Sequence, residues 1–459
     1  MRLRILHAIH DFLPRHRAGS EIYARELCRA LAPRHHVTVL CADYDPARRH
    51  GDVTWRLHDE LPVVEVVNNW PCAGFEDTYR PPRIGVVIDH LLRALQPDVV
   101  HLHNVLNLTF DLPALARARR IPVVATLHDY ALVCASGGQR FHRADAHVCR
   151  TIDPARCARC FRESPFHAQA AFARATSAAA PGLADRAARF VRRFPRAARA
   201  IGAAARHAPL LPVTRADIEQ RLAAARTVFD DVDLFVAPSP SMAREFQQLG
   251  LDANKIRVSD YGFAPLAPAP RTAAHGPLRI GFVGTLVWHK GVHVLVDAVR
   301  ELPGASVSVS VFGDVTTFPD YVAELRARAA GLPIEFRGGF PPERAADVYA
   351  QLDVLVVPSL WLENSPLVIH EAFMAGVPVV GARIGGIADL VVDGRTGLLY
   401  TPESAGDLAR ALRAIVDDRA LLDRFRRALP AVKSIAADGE EWERIYSSVV
   451  QPREMVPTA

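Results

Sequence analysis

Lysine is nearly absent from this chain. Of the 55 basic side chains among the 459 residues, only Lys255, Lys290 and Lys433 are lysines. Cysteine is also scarce, and its odd count of seven argues against the disulfide framework of a small secreted protein. Half of the residues are apolar and 23% are charged, a balance that excludes disordered and collagen-like chains.

Long apolar runs are missing as well. The longest, such as 354–358, have the length of a strand, and none approaches the roughly 20 residues that a membrane-spanning helix needs. The first residues lead into a strand-like run without a cleavage signal, so we expect a cytoplasmic protein. Neither a G-x-G-x-x-G after the first predicted strand nor a G-x-x-x-x-G-K-[ST] occurs, which argues against dehydrogenases and P-loop enzymes.

The sequence does contain two series of short β-branched runs. The first series of predicted strands is Arg4–Ile9, Val37–Cys41, Val63–Val67, Val99–Leu102, Val123–Leu127 and Leu234–Ala237, with helices at Ser20–Leu31, Pro82–Leu95 and Leu112–Arg119. The second is Arg279–Val283, Val307–Phe312, Ile334–Arg337, Val354–Val357, Val377–Val380 and Gly397–Tyr400. Alternation of strands with helices predicts parallel βαβ units.

The predicted fold class is therefore α/β, with two Rossmann-like domains facing a cleft. We expect an N-terminal domain over 1–265, a proline- and alanine-rich linker over 266–277 and a second domain over 278–432. A C-terminal helix within 433–459 is expected to pack back on the N-terminal domain. In such sheets ligands bind beyond the carboxyl ends of the strands.

The most informative motif spans 361–378. Ser365 is a good N-cap, Pro366 suits the first helical position, and Gly376 and Pro378 end the helix. A helix that starts just after a buried strand attracts phosphate through its free amides and its dipole. Glu371, inside this helix among apolar residues, could accept hydrogen bonds from both hydroxyls of a ribose; the alternative is a solvated charge on a surface helix.

Glu363 and Glu371 are separated by seven residues, and this spacing resembles the E-x7-E motif of the retaining glycosyltransferases of family 4, which have the GT-B fold. Further blocks along nearly the whole chain are similar to that family, at 97–104, 126–129, 237–239, 385–391 and 394–399. The resemblance implies transfer of a sugar from a nucleoside-diphosphate sugar, without a metal or other cofactor in catalysis. Fixed positive groups would take over the electrostatic role of a metal.

The resemblance also implies a donor site in the second domain. Residues 284–291, G-T-L-V-W-H-K-G, resemble the family's phosphate loop, in which Lys290 would stabilise the leaving diphosphate and Thr285 replaces the usual arginine. Glu363 would position the donor sugar. The implied donor-binding residues are Gly284, Thr285, Lys290, Asn364, Ser365, Leu367 and Glu371.

In the first domain the resemblance points to the carboxyl ends of three strands. His128 is expected near the donor sugar with a catalytic role, or else as a structural histidine at a strand end. Gly19, in the loop that often carries two glycines and here reads Ala18-Gly19, is expected to contact a phosphate or the acceptor. His103 and Asn104 are further candidates for that contact.

Four cysteines, Cys134, Cys149, Cys157 and Cys160, form a separate group, the last two as C-x-x-C. Four thiolates can enclose a structural zinc ion, so we expect either a zinc site, unbound thiols, or a redox or disulfide pair.

Residues 161–210 hold nine arginines against Glu163 and Asp185, a local charge of +7 compared with +5 for the whole chain. A basic helix with two phenylalanines can lie on an anionic membrane surface, and a solvated helical insertion is the alternative. Nucleic acid is not an expected partner, because no recognised module accompanies the charge.

The sequence thus predicts a cytoplasmic glycosyltransferase, peripheral on the inner membrane face, that extends a glycan or lipid-linked acceptor in cell-surface polysaccharide synthesis. The alternatives are a sugar-nucleotide epimerase of similar fold and a nonenzymatic sugar-nucleotide-binding protein.

Overall fold

The computed structural model describes residues 2–45, 47–177, 211–267 and 276–450. The chain divides into two compact units. The first unit comprises Met1–Pro238, Glu245–Ser259 and Ile435–Ala459, and the second comprises Ser239–Arg244 and Asp260–Ser434. The first boundary therefore falls at 259 rather than at 265.

This shift of the boundary has a physical cause. Asp260 accepts a hydrogen bond from the hydroxyl of Ser365 at 2.8 Å, and the hydroxyl of Tyr261 accepts one from Asn364 at 3.2 Å. Both residues are thereby tied to the second unit. Most of the expected linker, 268–275, lies outside the described residues.

The first unit is built on an eight-stranded sheet in the order β10-β9-β6-β5-β1-β2-β4-β3. Its strands are β1 (Arg4–Ile9), β2 (His36–Asp43), β3 (Val53–His58), β4 (Leu61–Val67), β5 (Val99–Leu102), β6 (Val123–Thr126), β9 (Leu234–Ala237) and β10 (Ile256–Val258). A separate two-stranded hairpin consists of β7 (Phe141–His142) and β8 (His147–Val148). All six predicted strands of the first series are confirmed.

Strand β3 was missed, and it pairs antiparallel with β4 at the edge of the sheet. One of its faces carries Val53, Trp55 and Leu57, all exposed, the last to 73%. A buried parallel strand is predicted from a continuous apolar run. In this edge strand polar residues alternate with apolar ones, so no such run is present.

The second unit is built on a six-stranded parallel sheet in the order β13-β12-β11-β14-β15-β16. Its strands are β11 (Leu278–Val283), β12 (Val307–Phe312), β13 (Ile334–Gly338), β14 (Val354–Val357), β15 (Val379–Ala382) and β16 (Gly397–Tyr400). All six predicted strands of the second series are present, and the fifth lies two residues later than the predicted Val377–Val380. The strands β14 and β15 are buried along their whole length, as expected for central strands covered on both faces.

Helices connect these strands. Those of the first unit include α1 (Gly19–Leu31), α2 (Pro82–Leu95), α3 (Leu112–Arg117), α4 (Pro154–Arg162), α5 (Pro165–Ser177) and α6 (Arg215–Asp231), and α7 (Pro240–Gln248) follows β9. Those of the second are α8 (Val292–Arg300), α9 (Pro319–Arg328), α10 (Ala345–Ala350), α11 (Leu367–Met374), α12 (Gly385–Leu390), α13 (Ala405–Asp417) and α14 (Ala420–Ala428).

The last helix, α15 (Ile435–Val449), belongs to the first unit. Its buried Trp442 donates a hydrogen bond from Nε1 to the hydroxyl of Tyr23 on α1 at 2.9 Å, and Tyr23 donates to Asp438 at 2.9 Å. These buried bonds satisfy polar atoms that would otherwise be costly to bury.

The part of the basic segment that carries Phe190, Phe194 and most of its arginines, 178–210, lies outside the described residues. Within the described ranges, the structure holds no helix whose length and apolar character would let it cross a membrane.

Candidate active site

In the second unit, the loop after β11 begins at Gly284, whose N–H donates to Phe312 O at 3.0 Å. Thr285 is exposed, and a short 3₁₀ helix over Trp288–Lys290 follows. Gly291 has a φ of 72°, and a Cβ there would lie 1.8 Å from Pro358 O. Only glycine fits this position, so the loop that carries Lys290 is held against the end of β14.

Lys290 and Glu363 form an ion pair. Lys290 Nζ donates to Glu363 Oε1 at 2.7 Å, and the hydroxyl of Ser359 donates to the same oxygen at 2.6 Å. Nζ also lies 5.2 Å from the ring centroid of Trp361. Glu363 is buried, whereas Lys290 is 27% exposed and therefore open to an incoming anion.

Helix α11 begins one residue later than predicted. Pro366 occupies the N-cap position in an extended conformation, and no side chain caps the helix. Ser365, the expected N-cap, instead donates to Asp260 and lies 2.9 Å from His370 Nε2. The expectation of a serine cap was wrong because the Ser365 hydroxyl bonds Asp260, a distant residue, instead of the amides of the helix. Leu367, half-buried, is the first residue of the helix.

Glu371 lies within α11 and accepts a hydrogen bond at Oε2 from the hydroxyl of Tyr349 at 2.7 Å. Burial raises the pKa of Glu371, and the hydrogen bond from Tyr349 opposes that rise. A carboxylate with one oxygen anchored in this way is oriented and keeps lone pairs for a ligand. The solvated-charge alternative does not describe this residue.

The segment Glu363–Ser365 is fixed from the opposite side by the start of α12. Gly386 N–H donates to Glu363 O at 2.8 Å. A Cβ on Gly386 would lie 1.8 Å from Asn364 O, so the two backbones approach as closely as they can. The second unit thus brings together Lys290, Glu363, Asn364 and Ser365 at the carboxyl ends of β11 and β14.

In the first unit, a chain of hydrogen-bonded imidazoles runs along the ends of β1, β5 and β6. His7 Nδ1 lies 2.9 Å from His103 Nε2, and His103 Nδ1 lies 2.9 Å from His128 Nε2. Burial lowers the pKa of His128 to about 3 and that of His103 well below its ordinary value, so these imidazoles are neutral.

His103 therefore differs from expectation. Both of its ring nitrogens are engaged by histidines and the residue is buried, which leaves no atom for a phosphate or an acceptor. A neutral His103 donates through one nitrogen and accepts through the other, and so it orients His128 and couples the tautomers of the two rings. Asn104 donates to Asp129 Oδ2 at 2.9 Å.

The sequence reasoning missed a second polar group at the same edge, formed by His10, Glu21 and Asp129. His10 Nε2 lies 3.2 Å from Glu21 Oε1. Burial alone would lower the pKa of His10, but the hydrogen bond and charge of Glu21 outweigh it, so the pKa is raised. Burial likewise opposes ionisation of Glu21, yet the bond from His10 lowers its pKa to about 2. This polar group could have been predicted from the sequence, because His10 and Asp129 each follow closely after a predicted strand.

Asp129 differs from Glu21. Burial raises the pKa of Asp129 to about 6, against hydrogen bonds that include the one from Ala131 N–H at 2.7 Å. Gly19 is the first residue of α1, and Ala18 before it has a φ of −107°, which alanine adopts without strain. Replacement of the usual glycine by Ala18 therefore costs this loop nothing.

All four residues of the cysteine group are half-buried thiols, whereas Cys28, Cys41 and Cys72 are buried. No disulfide joins them in the structure.

The chain has two Rossmann-like units built from strands and helices. In the second unit, an ion pair and the start of a helix lie at the carboxyl ends of the strands. Together these features define the GT-B class. Models of two families match the chain: "Glycosyl transferases group 1" over residues 277–418 and "Glycosyltransferase Family 4" over residues 17–161. Together the matches span more than half of the sequence. The chain belongs to the family 4, or group 1, glycosyltransferases.

Individual relatives agree with this assignment. The chain is 34% identical to a D-inositol 3-phosphate glycosyltransferase of Nocardia farcinica over 249 residues, which are 49% of this chain and 53% of that protein. It thus spans about half the length of the curated relatives it matches.

Solved structures share the fold. The Anabaena protein HepE in complex with UDP and glucose aligns with a TM-score of 0.61 and 18% identity, over 97% of this chain and 100% of that chain. Sucrose-phosphate synthase from Thermosynechococcus elongatus aligns with a TM-score of 0.64 and 18% identity, over 98% of this chain and 99% of that chain.

Proposed function

We propose that this protein transfers a sugar from a nucleoside-diphosphate sugar to a glycan or lipid-linked acceptor with retention of configuration. The observation that carries the proposal is the paired Lys290 and Glu363 beside the start of α11, with the anchored carboxylate of Glu371 further along that helix. The similarity in fold to a protein that binds UDP supports a nucleotide donor.

The proposed donor site assigns one task to each group. Glu371 accepts hydrogen bonds from two ribose hydroxyls while Tyr349 holds its second oxygen. The diphosphate lies at Gly284 and the first turn of α11, where backbone amides and the helix dipole favour negative charge. Because Thr285 carries no charge, Lys290 is the cation of the phosphate loop.

The proposed reaction takes place on one face of the sugar. The bond from the anomeric carbon to the diphosphate breaks, and the bond to the acceptor oxygen forms on the same side. The acceptor's proton passes to an oxygen of the leaving diphosphate. Lys290 stabilises the negative charge that grows on that group, so its contribution is largest in the transition state. These fixed positive groups supply the charge that a metal ion would otherwise provide.

Glu363 has two roles in this proposal. Without donor it neutralises Lys290, and the partial exposure of Lys290 lets a diphosphate share the ammonium group. With donor bound, Glu363 is free to accept hydrogen bonds from sugar hydroxyls. In the first unit, the neutral imidazole of His128 is proposed to lie near the donor sugar.

We further propose that the acceptor belongs to cell-surface polysaccharide synthesis and that the protein binds the membrane surface peripherally. The local charge of +7 over 161–210 supports attachment to anionic lipid.

A panel of sugar nucleotides with a glycan acceptor tests the proposed function. We expect one donor to yield free nucleoside diphosphate and a product with retained anomeric configuration, as seen by NMR. An epimerised donor without transfer would indicate the epimerase alternative. Binding without any turnover would indicate the nonenzymatic one.

A further inference from the structure

The cysteines fall into two classes that differ in burial and in position. Three are buried and widely spaced, as expected of small core residues. The other four are half-buried and all lie within 134–160, a segment with two two-residue strands and one nine-residue helix. Regular secondary structure is therefore sparse in this segment.

Three parts of this segment carry the four thiols. Cys134 closes a turn through its N–H, which donates to Tyr130 O at 2.7 Å, and Cys149 follows β8, with its N–H donating to Arg140 O at 2.8 Å. Cys157 and Cys160 lie three residues apart on α4 and therefore share one face of that helix.

Side-chain bonds bring these three parts together. His142 in the β7–β8 hairpin lies 2.7 Å from Glu163 at the end of α4, and Asp145 in the same hairpin pairs with Arg159 on α4. Cys160 forms a hydrogen bond with Ser136, in the loop that begins at Cys134. These bonds hold the hairpin, the loop after Cys134 and α4 against one another.

Electrostatics agree with this clustering. Burial and then the charge of Cys134 and Cys149 raise the pKa of Cys157 to about 12. Burial also raises the pKa of Cys160 to about 11, and the same two thiols add to that rise.

A buried positive charge adjoins the cluster. Arg221 is 3% exposed and donates hydrogen bonds to the backbone carbonyls of Ala131 and Leu132. Across the described ranges, no carboxylate pairs with it. Burial lowers the pKa of Arg221 to about 10, while the charges of Cys134 and Cys157 raise it. Arg221 therefore lies where it would stabilise negative charge on Cys134 and Cys157.

We propose that Cys134, Cys149, Cys157 and Cys160 bind one Zn²⁺ ion as a structural four-thiolate site. Such a site carries a charge of about −2, which suits the position of Arg221. It is tetrahedral, with Zn–S bonds of about 2.3 Å and hence sulfur atoms about 3.8 Å apart. Among the described residues no three of these sulfurs lie mutually within 4.8 Å, so the proposed site requires the thiols to move closer together when zinc binds.

A competing metal site is excluded by its hydrogen bonds. His7, His101 and His103 place ring nitrogens within 4.8 Å of one another. Both nitrogens of His101 are engaged, by Tyr446 and Thr126 at 2.8 Å each, and both of His103 are engaged by histidines. His101 and His103 therefore have no ring nitrogen left for an ion.

The backbone connects the proposed zinc site directly to the candidate active site. Tyr130 N–H donates to Gly138 O at 3.0 Å, and Asp129 accepts from Ala131 N–H. The segment thus folds back on the residues directly after His128, and zinc would fix their position.

Metal analysis of the purified full-length protein tests the site. We expect about one zinc per chain after dialysis against metal-free buffer, released by a mercurial that titrates four thiols. Cys157→Ser and Cys160→Ser should lose the zinc and lower the melting temperature, whereas Cys28→Ala, a thiol outside the cluster, should keep the zinc.

Cobalt substitution of the wild-type protein provides a readout that does not depend on how the variants fold. Tetrahedral thiolate coordination should give an intense sulfur-to-Co²⁺ charge-transfer band. Absence of both zinc and that band, with four freely reactive thiols or with disulfides found by mass spectrometry, would overturn the proposal.

Discussion

Replacement of Lys290 by methionine separates the two roles that the structure gives to this residue. The methionine side chain can still pack on Trp361, but the ammonium group 2.7 Å from Glu363 Oε1 is lost. Glu363 then keeps only the hydrogen bond from Ser359 while it stays buried. Breaking a fully buried ion pair costs about 3–5 kcal/mol. Since Lys290 is 27% exposed, we expect a loss of about 1–3 kcal/mol in the free energy of unfolding.

The effect on catalysis should be larger than the effect on donor binding. Removal of one fixed group that stabilises transition-state charge costs about 3–4 kcal/mol. We therefore expect kcat to fall by about 10²- to 10³-fold, with a smaller rise in the KM for the donor. Denaturant unfolding and steady-state release of nucleoside diphosphate measure the two effects.

Two further variants sharpen the test. Lys255 bonds three backbone carbonyls in the first unit, so Lys255→Met should lower stability and leave kcat unchanged. The double variant Lys290→Met, Glu363→Gln removes the unpaired buried charge, and we expect it to be more stable than Lys290→Met but equally inactive. An unchanged kcat in Lys290→Met, or a double variant less stable than the single one, would refute the reasoning.

Three other predictions follow from particular contacts. Gly386→Ala should displace Asn364, whose carbonyl oxygen would lie 1.8 Å from the new Cβ, and raise the donor KM at least tenfold. Gly85→Ala, which has open space around it, should leave the donor KM unchanged, and equal kinetics of the two variants would contradict the prediction. In Glu21→Gln the pKa of His10 should fall, because the hydrogen bond and charge of Glu21 are lost while burial still lowers this pKa and only the charges of Asp129 and Asp11 still raise it. The ion pair stabilises the native state above the ordinary pKa of Glu21 and below the ordinary pKa of His10, and NMR titration of His10 together with unfolding against pH checks both. The protein should sediment with anionic but not neutral vesicles and be released from them by high salt. A variant with four arginines changed to glutamine, at Arg189, Arg192, Arg193 and Arg196, should bind these vesicles more weakly and hydrolyse the donor at the same rate. Equal binding to both kinds of vesicle would exclude the electrostatic account.

Most of the fold could be predicted from the sequence because its strands are parallel and buried on both faces. Continuous β-branched runs such as Val354–Val357 then identify strands clearly, and glycines and prolines mark where those strands end. Strand β3 escaped because its apolar residues face solvent, so its stability comes from pairing with β4, a long-range property.

The site was less predictable wherever a long-range partner decides the role of a side chain. Lys290 and Glu363 are 73 residues apart and were assigned separate tasks, yet the structure pairs them. Ser365 was expected as a cap from local preference, but Asp260 takes its hydroxyl. His103 and His10 are the same residue type with different neighbours. His103 hydrogen-bonds other buried histidines, whereas His10 forms an ion pair with Glu21.

Calorimetric titration with a nucleoside diphosphate and its 2′,3′-dideoxy analogue tests the central claim that Glu371 holds the donor's ribose. Glu371→Gln keeps an acceptor for Tyr349, so the fold should be retained. We expect the wild-type protein to bind the ribose form more tightly than the dideoxy form by about 2–4 kcal/mol, or at least about 30-fold. In Glu371→Gln this preference should largely disappear, while affinity for the dideoxy form stays the same. An undiminished preference for the ribose form in the variant would contradict the account.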